Sequence, residues 1–319
     1  MNWQQAVQEA RDRIRPYLRE TYLQRSDWLC DRCEAEVYLK LENLQVTGSF
    51  KARGATNKLL TLSPQARARG VVTASTGNHG AAVAQAGRAL GCPVLVFCPQ
   101  DADQSKVAGI ERRGAHVRYH GHDCVEVERL ARRHAQQEAL SYIPPYNDAE
   151  VIAGQGTIGA EILEQLPEVD AVFASVGGGG LIAGIAAYLK AVKPSVKVVG
   201  CSPENSQVML QSVAAGEVLD LPSQPTLSDG TAGGLEEGTM TFPLCRDWVD
   251  DWLTVEEREI ASALRGVLDQ EHLLVEGAAA VSVAAYQRVA EQYGGQRVAI
   301  VICGGNIGLE TLQRALDLA

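Results

Sequence analysis

The stretch from Ala171 to Val192, AVFASVGGGGLIAGIAAYLKAV, contains the unit from which the fold is built. A short apolar run is followed by four glycines and then by an apolar segment long enough for a helix, which predicts a buried strand, a turn and a helix. Parallel sheets covered by helices are assembled from such units. Their ligands bind beyond the carboxyl ends of the strands, so the four glycines mark a candidate site.

The four glycines, Gly177 to Gly180, predict a phosphate-binding turn. Glycine reaches backbone angles closed to other residues, so several N–H groups can point at one anion, and the following helix adds the positive end of its dipole. One alternative is a tight turn that uses glycine for packing alone. Another is a dinucleotide site in which Glu204, at the end of the next strand, binds a ribose, although Gly178, Gly180 and Gly184 miss the G-x-G-x-x-G spacing by one residue.

Other apolar runs repeat the pattern along the chain. VVTA precedes AAVAQAGRALG, PVLVFC precedes QSKVAGIERRG, and VKVVGCS and RVAIVICGGN follow farther on. This alternation of short strands with amphipathic stretches predicts an α/β fold of parallel sheets with helices on both faces. No linker tract divides the chain, so if there are two lobes, the chain must pass from one into the other and back.

The composition is that of a globular protein with an acidic surface. The 319 residues are 46% hydrophobic, and 29 basic against 39 acidic residues give a formal net charge of −10. This charge repels phosphate backbones and anionic membranes, so we expect no nucleic acid or membrane partner. No apolar run approaches the roughly 20 residues of a membrane-spanning helix. The amphipathic N-terminal segment predicts no secretion signal, and we expect a cytoplasmic protein.

Eight cysteines and a histidine-rich stretch give weaker signals. Cys30 and Cys33 form a single C-x-x-C, and HVRYHGHDC at 116–124 carries the side-chain types of a metal site. In an intracellular chain of this length, free thiols are more common than disulfides, and histidines that follow a strand are more often surface residues. We therefore predict neither a metal ion nor a disulfide framework.

Two further strands run into glycine. Ser75-Thr-Gly-Asn-His-Gly80 follows VVTA, and we expect the next helix to begin at Ala81. Hydroxyls and free amides at a helix N-terminus suit a carboxylate or another small anion, although Ser75 or Thr76 could simply cap the helix. Cys303-Gly-Gly-Asn306 places a thiol at the end of a buried strand.

Lys51 is the candidate reactive amine. It lies in TGSFKARGA, after the polar turn formed by Thr47, Gly48 and Ser49 and at the start of a helix. Lysine is usually exposed, so a surface position is the alternative. A lysine at the positive end of a helix is unfavourable, however, and such a placement lowers its pKa and makes the neutral amine available for imine formation.

Five motifs occur in order along nearly the whole chain: GSFKARGA, STGNHG, GQGT at 154–157, VGGGGL and CGGN. Together they resemble the serine/threonine dehydratase group of pyridoxal-phosphate enzymes, which have the tryptophan-synthase-β-like fold. The resemblance implies two lobes of mostly parallel sheet, a small one at 70–148 and a large discontinuous one at 1–69 and 149–319. It also implies pyridoxal 5′-phosphate as cofactor, an amino acid substrate, and a homo-oligomer.

The resemblance further implies which residues hold the cofactor. Lys51 matches the lysine that forms a Schiff base with it and moves the α-proton of the substrate. Phe50 packs against the cofactor ring, and Asn78 hydrogen-bonds its 3-hydroxyl. The phosphate loop corresponds to Gly177, Gly178, Gly179, Gly180 and Leu181.

The resemblance also implies how the substrate is held and which reaction follows. The segment that binds its carboxylate contains Ser75, Thr76, Gly77 and His79, and Cys303 faces the pyridine nitrogen. A neutral thiol there leaves the nitrogen largely unprotonated, which favours prompt loss of a β-substituent over a long-lived carbanion. We therefore expect dehydration and deamination of a β-hydroxy amino acid such as L-threonine or L-serine to a 2-keto acid and ammonia.

The chain departs from the family at several positions. Relatives that racemise serine carry a second serine where Thr76 lies, and the extra methyl of threonine restricts its rotamer, so we rank elimination above racemisation. An amino acid racemase and a non-catalytic binding protein of the same fold remain alternatives. Ser202 and Val208 replace the carboxylates that bind a divalent cation in relatives, so we expect no metal. Gly233 and Gly234 replace a serine-bearing loop and leave more room for the substrate side chain.

Overall fold

The computed structural model describes residues 1–31, 33–122 and 124–319. Within these ranges the chain forms two sheets whose strands alternate with helices. The strands are β1 (Leu23–Arg25), β2 (Glu36–Leu41), β3 (Val71–Ala74), β4 (Val94–Cys98), β5 (His116–Tyr119), β6 (Ser141–Tyr142), β7 (Ala171–Ser175), β8 (Lys197–Pro203), β9 (Asp251–Val255) and β10 (Arg297–Ile302).

The helices follow the strands in the order that the sequence patterns predict. They are α1 (Trp3–Ile14), α2 (Asp27–Cys30), α3 (Lys51–Thr61), α4 (Pro64–Arg69), α5 (Asn78–Leu90), α6 (Gln104–Glu111), α7 (Cys124–Gln137), α8 (Ala149–Gln165), α9 (Gly180–Val192), α10 (Val208–Ala215), α11 (Thr241–Trp248), α12 (Glu257–Gln270), α13 (Gly277–Val289) and α14 (Leu309–Leu318). Single 3₁₀ turns lie at Glu42–Leu44, Asp229–Thr231 and Ala290–Tyr293.

Both sheets are mostly parallel. The larger has the order β1-β2-β10-β7-β8-β9, and only the edge pair β1 and β2 is antiparallel. The smaller, β5-β4-β3-β6, is parallel throughout. β7 is buried at every position because helices cover both faces of the sheet, which explains its continuous apolar sequence. The predicted α/β class is confirmed.

The helix α3 lies between the cores of the two sheets. Ala55 and Leu59 belong to the apolar cluster of the smaller sheet, whereas α8, which contacts α3 at Gly54, contributes Ile152 and Ala153 to that of the larger one. The strands of the smaller sheet lie between Val71 and Tyr142, inside the segment 70–148. The domain boundaries themselves stay a prediction. Because α3 lies where the two sheets meet, its first residue faces the space between them.

Candidate active site

A cleft of about 550 Å³ lies at the carboxyl ends of strands from both sheets. β3, β7 and β10 end there in the three glycine-bearing segments. The cleft is lined by every residue predicted for the site, namely Phe50, Lys51, Ser75, Thr76, Gly77, Asn78, His79, Gly177, Gly178, Gly179, Gly180, Leu181 and Cys303. The fold therefore brings together segments that are far apart in the chain, and the role of each residue stays a prediction.

Lys51 begins α3 and directs its amine into the cleft. Its Nζ donates a hydrogen bond to the backbone oxygen of Pro145 at 2.9 Å and lies 5.1 Å from the centroid of the Phe50 ring. Burial lowers the pKa of Lys51 to about 8, while nearby Cys303 and Glu276 act in the opposite direction. The sequence anticipated a lowered pKa from the helix dipole, whereas the main cause in the structure is desolvation.

A buried ion-pair network anchors α3. The guanidinium of Arg53 is 1% exposed and donates to both oxygens of Glu42, each at 2.8 Å, and to both oxygens of Glu161, at 2.5 and 2.8 Å. Lys40 donates to Glu161 at 2.7 Å, so two cations face two carboxylates. Hydrogen bonds from one guanidinium to both oxygens of a carboxylate hold the arginine side chain in a single geometry. Arg53 thereby fixes the helix on which Lys51 lies two residues earlier.

The GQGT motif packs α8 against α3. Gly154 faces Gly54 so closely that a Cβ on Gly154 would lie 2.7 Å from the Gly54 Cα. The side-chain oxygen of Gln155 accepts a hydrogen bond from the Gly54 N–H at 3.2 Å, and the Thr157 hydroxyl accepts one from Arg53 at 3.0 Å. Among the described residues that line the cleft, none belongs to this motif. Its contribution is to position α3.

The four-glycine turn forms a cradle that side chains would fill. A Cβ on Gly177 would lie 2.8 Å from the Thr231 backbone oxygen, and one on Gly180 would lie 2.8 Å from the Tyr146 Cβ. Gly179 has φ of +82°, which strains any other residue. The N–H groups of the first turn of α9 have no partner within the helix and point at the same space. This arrangement suits a phosphate, as the sequence predicts.

A second helix N-terminus faces the cleft at α5. The helix begins at Asn78 and not at the predicted Ala81, because the residue that precedes it, Gly77, already serves as the cap. Neither Ser75 nor Thr76 caps α5, and the Ser75 hydroxyl instead accepts a hydrogen bond from the Gly77 N–H at 3.2 Å. The free N–H groups of the first turn are therefore open to a carboxylate, as in other helix N-terminal anion sites.

The His79 side chain is held by a hydrogen bond to the backbone. Its Nε2 lies 2.9 Å from the backbone oxygen of Ile143, an acceptor, so Nε2 carries the proton of the neutral ring. Burial and, to a smaller extent, the charge on Lys51 lower the pKa of His79 to about 3. His79 is thus neutral at physiological pH. The part of this residue that suits a substrate carboxylate is its backbone N–H.

Glu276 is the site residue that the sequence reasoning missed. It precedes α13, is 5% exposed, and accepts hydrogen bonds from the Asn78 amide at 2.9 Å on both oxygens and from the Asn306 N–H at 3.2 Å. A Cβ on Gly304 would lie 2.5 Å from its Oε1, so the glycine of CGGN makes room for the carboxylate. The signal available in the sequence was one acid, in LLVEGAAAVSVAAY, at the start of an otherwise apolar helix.

Glu276 should make stability depend on pH. Burial raises its pKa from 4.5 to about 7, against the lowering effect of the Asn78 hydrogen bonds. Because the folded-state pKa is raised, the stabilisation is fully present below pH 4.5 and is lost as the pH rises through 7. We expect apo wild type to lose about 3 kcal/mol of unfolding free energy relative to Glu276→Gln over this window.

Urea unfolding at a series of pH values measures this difference. The exposed Glu310 provides the matched control, since Glu310→Gln should follow wild type at every pH. Parallel pH profiles for wild type and Glu276→Gln would contradict the raised pKa.

Cys303 lies directly after β10, with its thiol buried among polar groups. Its Sγ accepts a hydrogen bond from the Ser175 hydroxyl at 3.5 Å and lies 4.0 Å from Oε1 of Glu276. Burial raises the pKa of the Cys303 thiol above its ordinary value, and Glu276 adds to the effect. The thiol is therefore neutral at physiological pH, as its predicted place beside the pyridine nitrogen requires.

The weaker sequence signals lie apart from the cleft. Within residues 1–31, 33–122 and 124–319, no group of three His, Cys, Asp or Glu residues could hold a metal ion. Ser202 is buried in β8 and Val208 begins α10, so the expectation of no metal at these positions stays a prediction. Asp123 and the side chain of Cys124, within the histidine-rich stretch, lie outside the described residues. In the described part, no helix is long and apolar enough to cross a membrane.

The cleft thus contains a lysine of lowered pKa and two helix N-termini, one of which follows the glycine cradle. These features define an α/β enzyme in which the lysine amine reacts with a ligand that carries a phosphate. The family model described as pyridoxal-phosphate-dependent enzyme matches residues 14–304. The chain belongs to this family, and its cofactor is pyridoxal 5′-phosphate. The cradle that a Cβ would fill, its free N–H groups and the amine of Lys51 all fit the phosphate and the carbonyl of that cofactor.

Named relatives resemble the chain in sequence or in structure. The L-threonine ammonia-lyase of Thermotoga maritima is 42% identical over 98% of this chain and 77% of its own. The processed threonine deaminase isoform 2 of Solanum lycopersicum superposes with a TM-score of 0.93 at 33% identity, over 99% of this chain and 93% of the other. Maize serine racemase gives a TM-score of 0.92 at 33% identity, over 98% and 96% of the two chains.

Proposed function

We propose that this protein is an ammonia-lyase that dehydrates and deaminates a β-hydroxy amino acid, such as L-threonine or L-serine, to a 2-keto acid and ammonia. The observation that carries the proposal is the amine of Lys51, whose pKa of about 8 lies close to working pH and which faces a cleft between two anion-binding helix termini. The similarity to the threonine ammonia-lyase and the threonine deaminase supports the same reaction.

The lining of the cleft supports the predicted set of cofactor-binding residues. The glycine cradle and the first turn of α9 would hold the phosphate of the cofactor, Lys51 would bind its carbonyl carbon, and Phe50 and Cys303 would contact its ring. When bound, the cofactor withdraws electrons from the α-carbon of the substrate so that the α-proton becomes acidic. The neutral thiol of Cys303 adds no proton to the ring, which favours elimination over transamination.

Residues of the cleft bind the substrate, move its proton and orient the cofactor. The first turn of α5 binds the substrate carboxylate through its N–H groups. Lys51, held by the Arg53 network, takes the α-proton, since a base whose pKa is near the working pH transfers protons most effectively. Asn78 is held between Glu276 and Asn306 by hydrogen bonds of 2.7 to 2.9 Å, so its amide is preorganised for a polar group of the cofactor.

Racemisation is the second candidate function. Thr76 lines the same cleft as Lys51, and the fold superposes closely on maize serine racemase. A hydroxyl on the opposite face of the substrate would return the proton with inverted stereochemistry. The additional methyl of threonine limits the hydroxyl to fewer rotamers, which favours elimination.

The holoenzyme with a panel of substrates tests the proposal. We expect 2-keto acid and ammonia in equal amounts from at least one of L-serine, L-threonine, phenylserine and 3-hydroxyaspartate. Formation of the opposite enantiomer without keto acid would replace the lyase with a racemase. An inert holoenzyme that binds the cofactor would leave only a binding function.

A cytoplasmic location and a homo-oligomeric state are part of the same proposal. The net charge of −10 supports the absence of nucleic acid and anionic membrane partners. Size-exclusion chromatography coupled to light scattering measures the oligomeric state directly.

A further inference from the structure

The cleft carries positive potential in three places, of which the proposed reaction uses two. The glycine cradle on α9 is assigned to the cofactor phosphate, and the N-terminus of α5 is assigned to the substrate carboxylate. The third is a pair of arginines, Arg112 and Arg113, directly after α6 at the side of the cleft that belongs to the smaller sheet. No group in the proposed reaction accounts for this pair.

The two arginines converge on one point. Gly109 has no side chain, and the place where its Cβ would lie is 3.5 Å from an Nη of Arg113 and 3.7 Å from an Nη of Arg112. Both guanidinium groups therefore fold over the same face of α6 and approach each other. Like charges in proximity repel, and an anion bound between or beside the two guanidinium groups would relieve this repulsion.

Neither guanidinium has an acidic partner in the part of the chain that the structure describes. Arg113 donates to the backbone oxygen of Gly109 at 2.7 Å, and within the described ranges neither arginine forms an ion pair. The neighbouring cation Lys106 differs, because Asp229 binds it at 2.9 Å across the cleft. Two unpaired guanidinium groups beside a reaction cleft, in a protein of net charge −10, are the arrangement expected of an anion-binding subsite.

The opposite wall of the cleft is formed by the turn Asp229–Thr231. Gly233 and Gly234, which the sequence analysis expected to leave room for the substrate side chain, are exposed and are not among the described residues that line the cleft. The cleft of about 550 Å³ has the size of a site for a cofactor together with its substrate. Arg112 and Arg113 line the part of it that belongs to the smaller sheet.

We propose that the substrate is a β-hydroxy amino acid with a second carboxylate, of the 3-hydroxyaspartate class, and that Arg112 and Arg113 bind this distal carboxylate. The inference rests on the proposed elimination. The Cα–H and Cβ–O bonds break, and the α-proton passes to Lys51. The departing hydroxyl takes up one proton and leaves as water, so that α-proton and hydroxyl together account for the water released. The resulting enamine becomes an imine, water adds to its C=N bond, and ammonia leaves, so 3-hydroxyaspartate yields oxaloacetate and ammonia without any oxidant.

Steady-state kinetics of the holoenzyme tests the substrate class. Wild type should act on L-threo-3-hydroxyaspartate with at least a tenfold higher kcat/KM than on L-serine or L-threonine. Each charge-assisted hydrogen bond is equivalent to roughly a tenfold change or more, so Arg112→Gln/Arg113→Gln should lower kcat/KM for the dicarboxylate by about 100-fold. The same double variant should change kcat/KM for L-serine by less than about threefold.

The control is Arg133→Gln. Arg133 is an exposed arginine on α7 that does not line the cleft, and its loss alters net charge as a single cleft variant does. Arg133→Gln should leave kcat/KM for both substrates within about twofold of the wild-type values. Equal losses of kcat/KM in Arg133→Gln and in Arg112→Gln or Arg113→Gln alone would show that the effect comes from the net charge of the protein. That result would overturn the proposal.

Binding of amino acids that cannot lose a hydroxyl separates this proposal from the reaction itself. L-aspartate and L-alanine differ by the distal carboxylate, and the visible spectrum of the holoenzyme reports their binding. We expect at least tenfold tighter binding of L-aspartate in wild type and equal binding in the double variant. Failure of elimination with retained preference for L-aspartate would remove the proposed function alone, whereas equal binding in wild type would overturn the dicarboxylate site alone.

Discussion

Lys51→Ala should abolish elimination while leaving the fold intact. Lys51 is the amine that the structure directs into the cleft, with a pKa lowered to about 8 by burial. The other lysine among the described residues that line the cleft, Lys106, is paired with Asp229. A positioned acid or base contributes up to about 10⁴-fold in rate. We expect kcat to fall by about that factor, with loss of the visible absorbance of lysine-bound cofactor.

Lys58 provides the matched control for this experiment. It lies on the same helix, α3, but pairs with Asp148 at 2.5 Å outside the cleft. Lys58→Ala should retain the visible absorbance and most of the activity. Full absorbance in Lys51→Ala, with activity near wild type, would show that another group holds the cofactor. Unchanged circular dichroism in both variants establishes that the effect is local.

The sequence predicted the fold because its strands are regular. β7 and β10 are apolar at almost every position, since both of their faces are buried, and each is followed by glycine where a ligand binds. The start of α5 was placed three residues too late. Gly77 and Asn78 lack the usual sequence signature of a helix start, because the first turn of α5 is open to a ligand and no side chain caps it.

The cleft could be predicted only in part. Residues in contiguous glycine-rich segments were identified because each segment follows a strand. Glu276 escaped notice because its partners, Asn78 and Asn306, are about 200 and 30 residues away in the chain, and only the fold brings them together. The same holds for the pairing of Arg53 with Glu161. Contacts across the core depend on packing, which has no local period in the sequence.

The largest effect on stability is expected from Arg53→Met. Arg53 is enclosed with Glu42, Glu161 and Lys40, and proximity to the two carboxylates raises the pKa of its guanidinium despite burial. Removal of this cation leaves two carboxylates and one lysine in the interior, a net buried negative charge. Loss of one partner from a buried network costs about 3 to 5 kcal/mol.

Urea unfolding of wild type and variants measures the loss. Arg288→Met is the matched control, because Arg288 also donates twice to one glutamate, Glu259. That pair is about a third exposed, so its loss should cost less than about 1 kcal/mol.

Adding Glu42→Gln to Arg53→Met removes the excess negative charge and should restore part of the lost free energy of unfolding. The reason is that the unpaired carboxylate, and not the missing contact area, dominates the cost. Equal losses in Arg53→Met and Arg288→Met would mean that burial of the network contributes nothing to the anchoring of α3. Because α3 carries Lys51, the restored double variant should also recover cofactor binding in proportion to its stability.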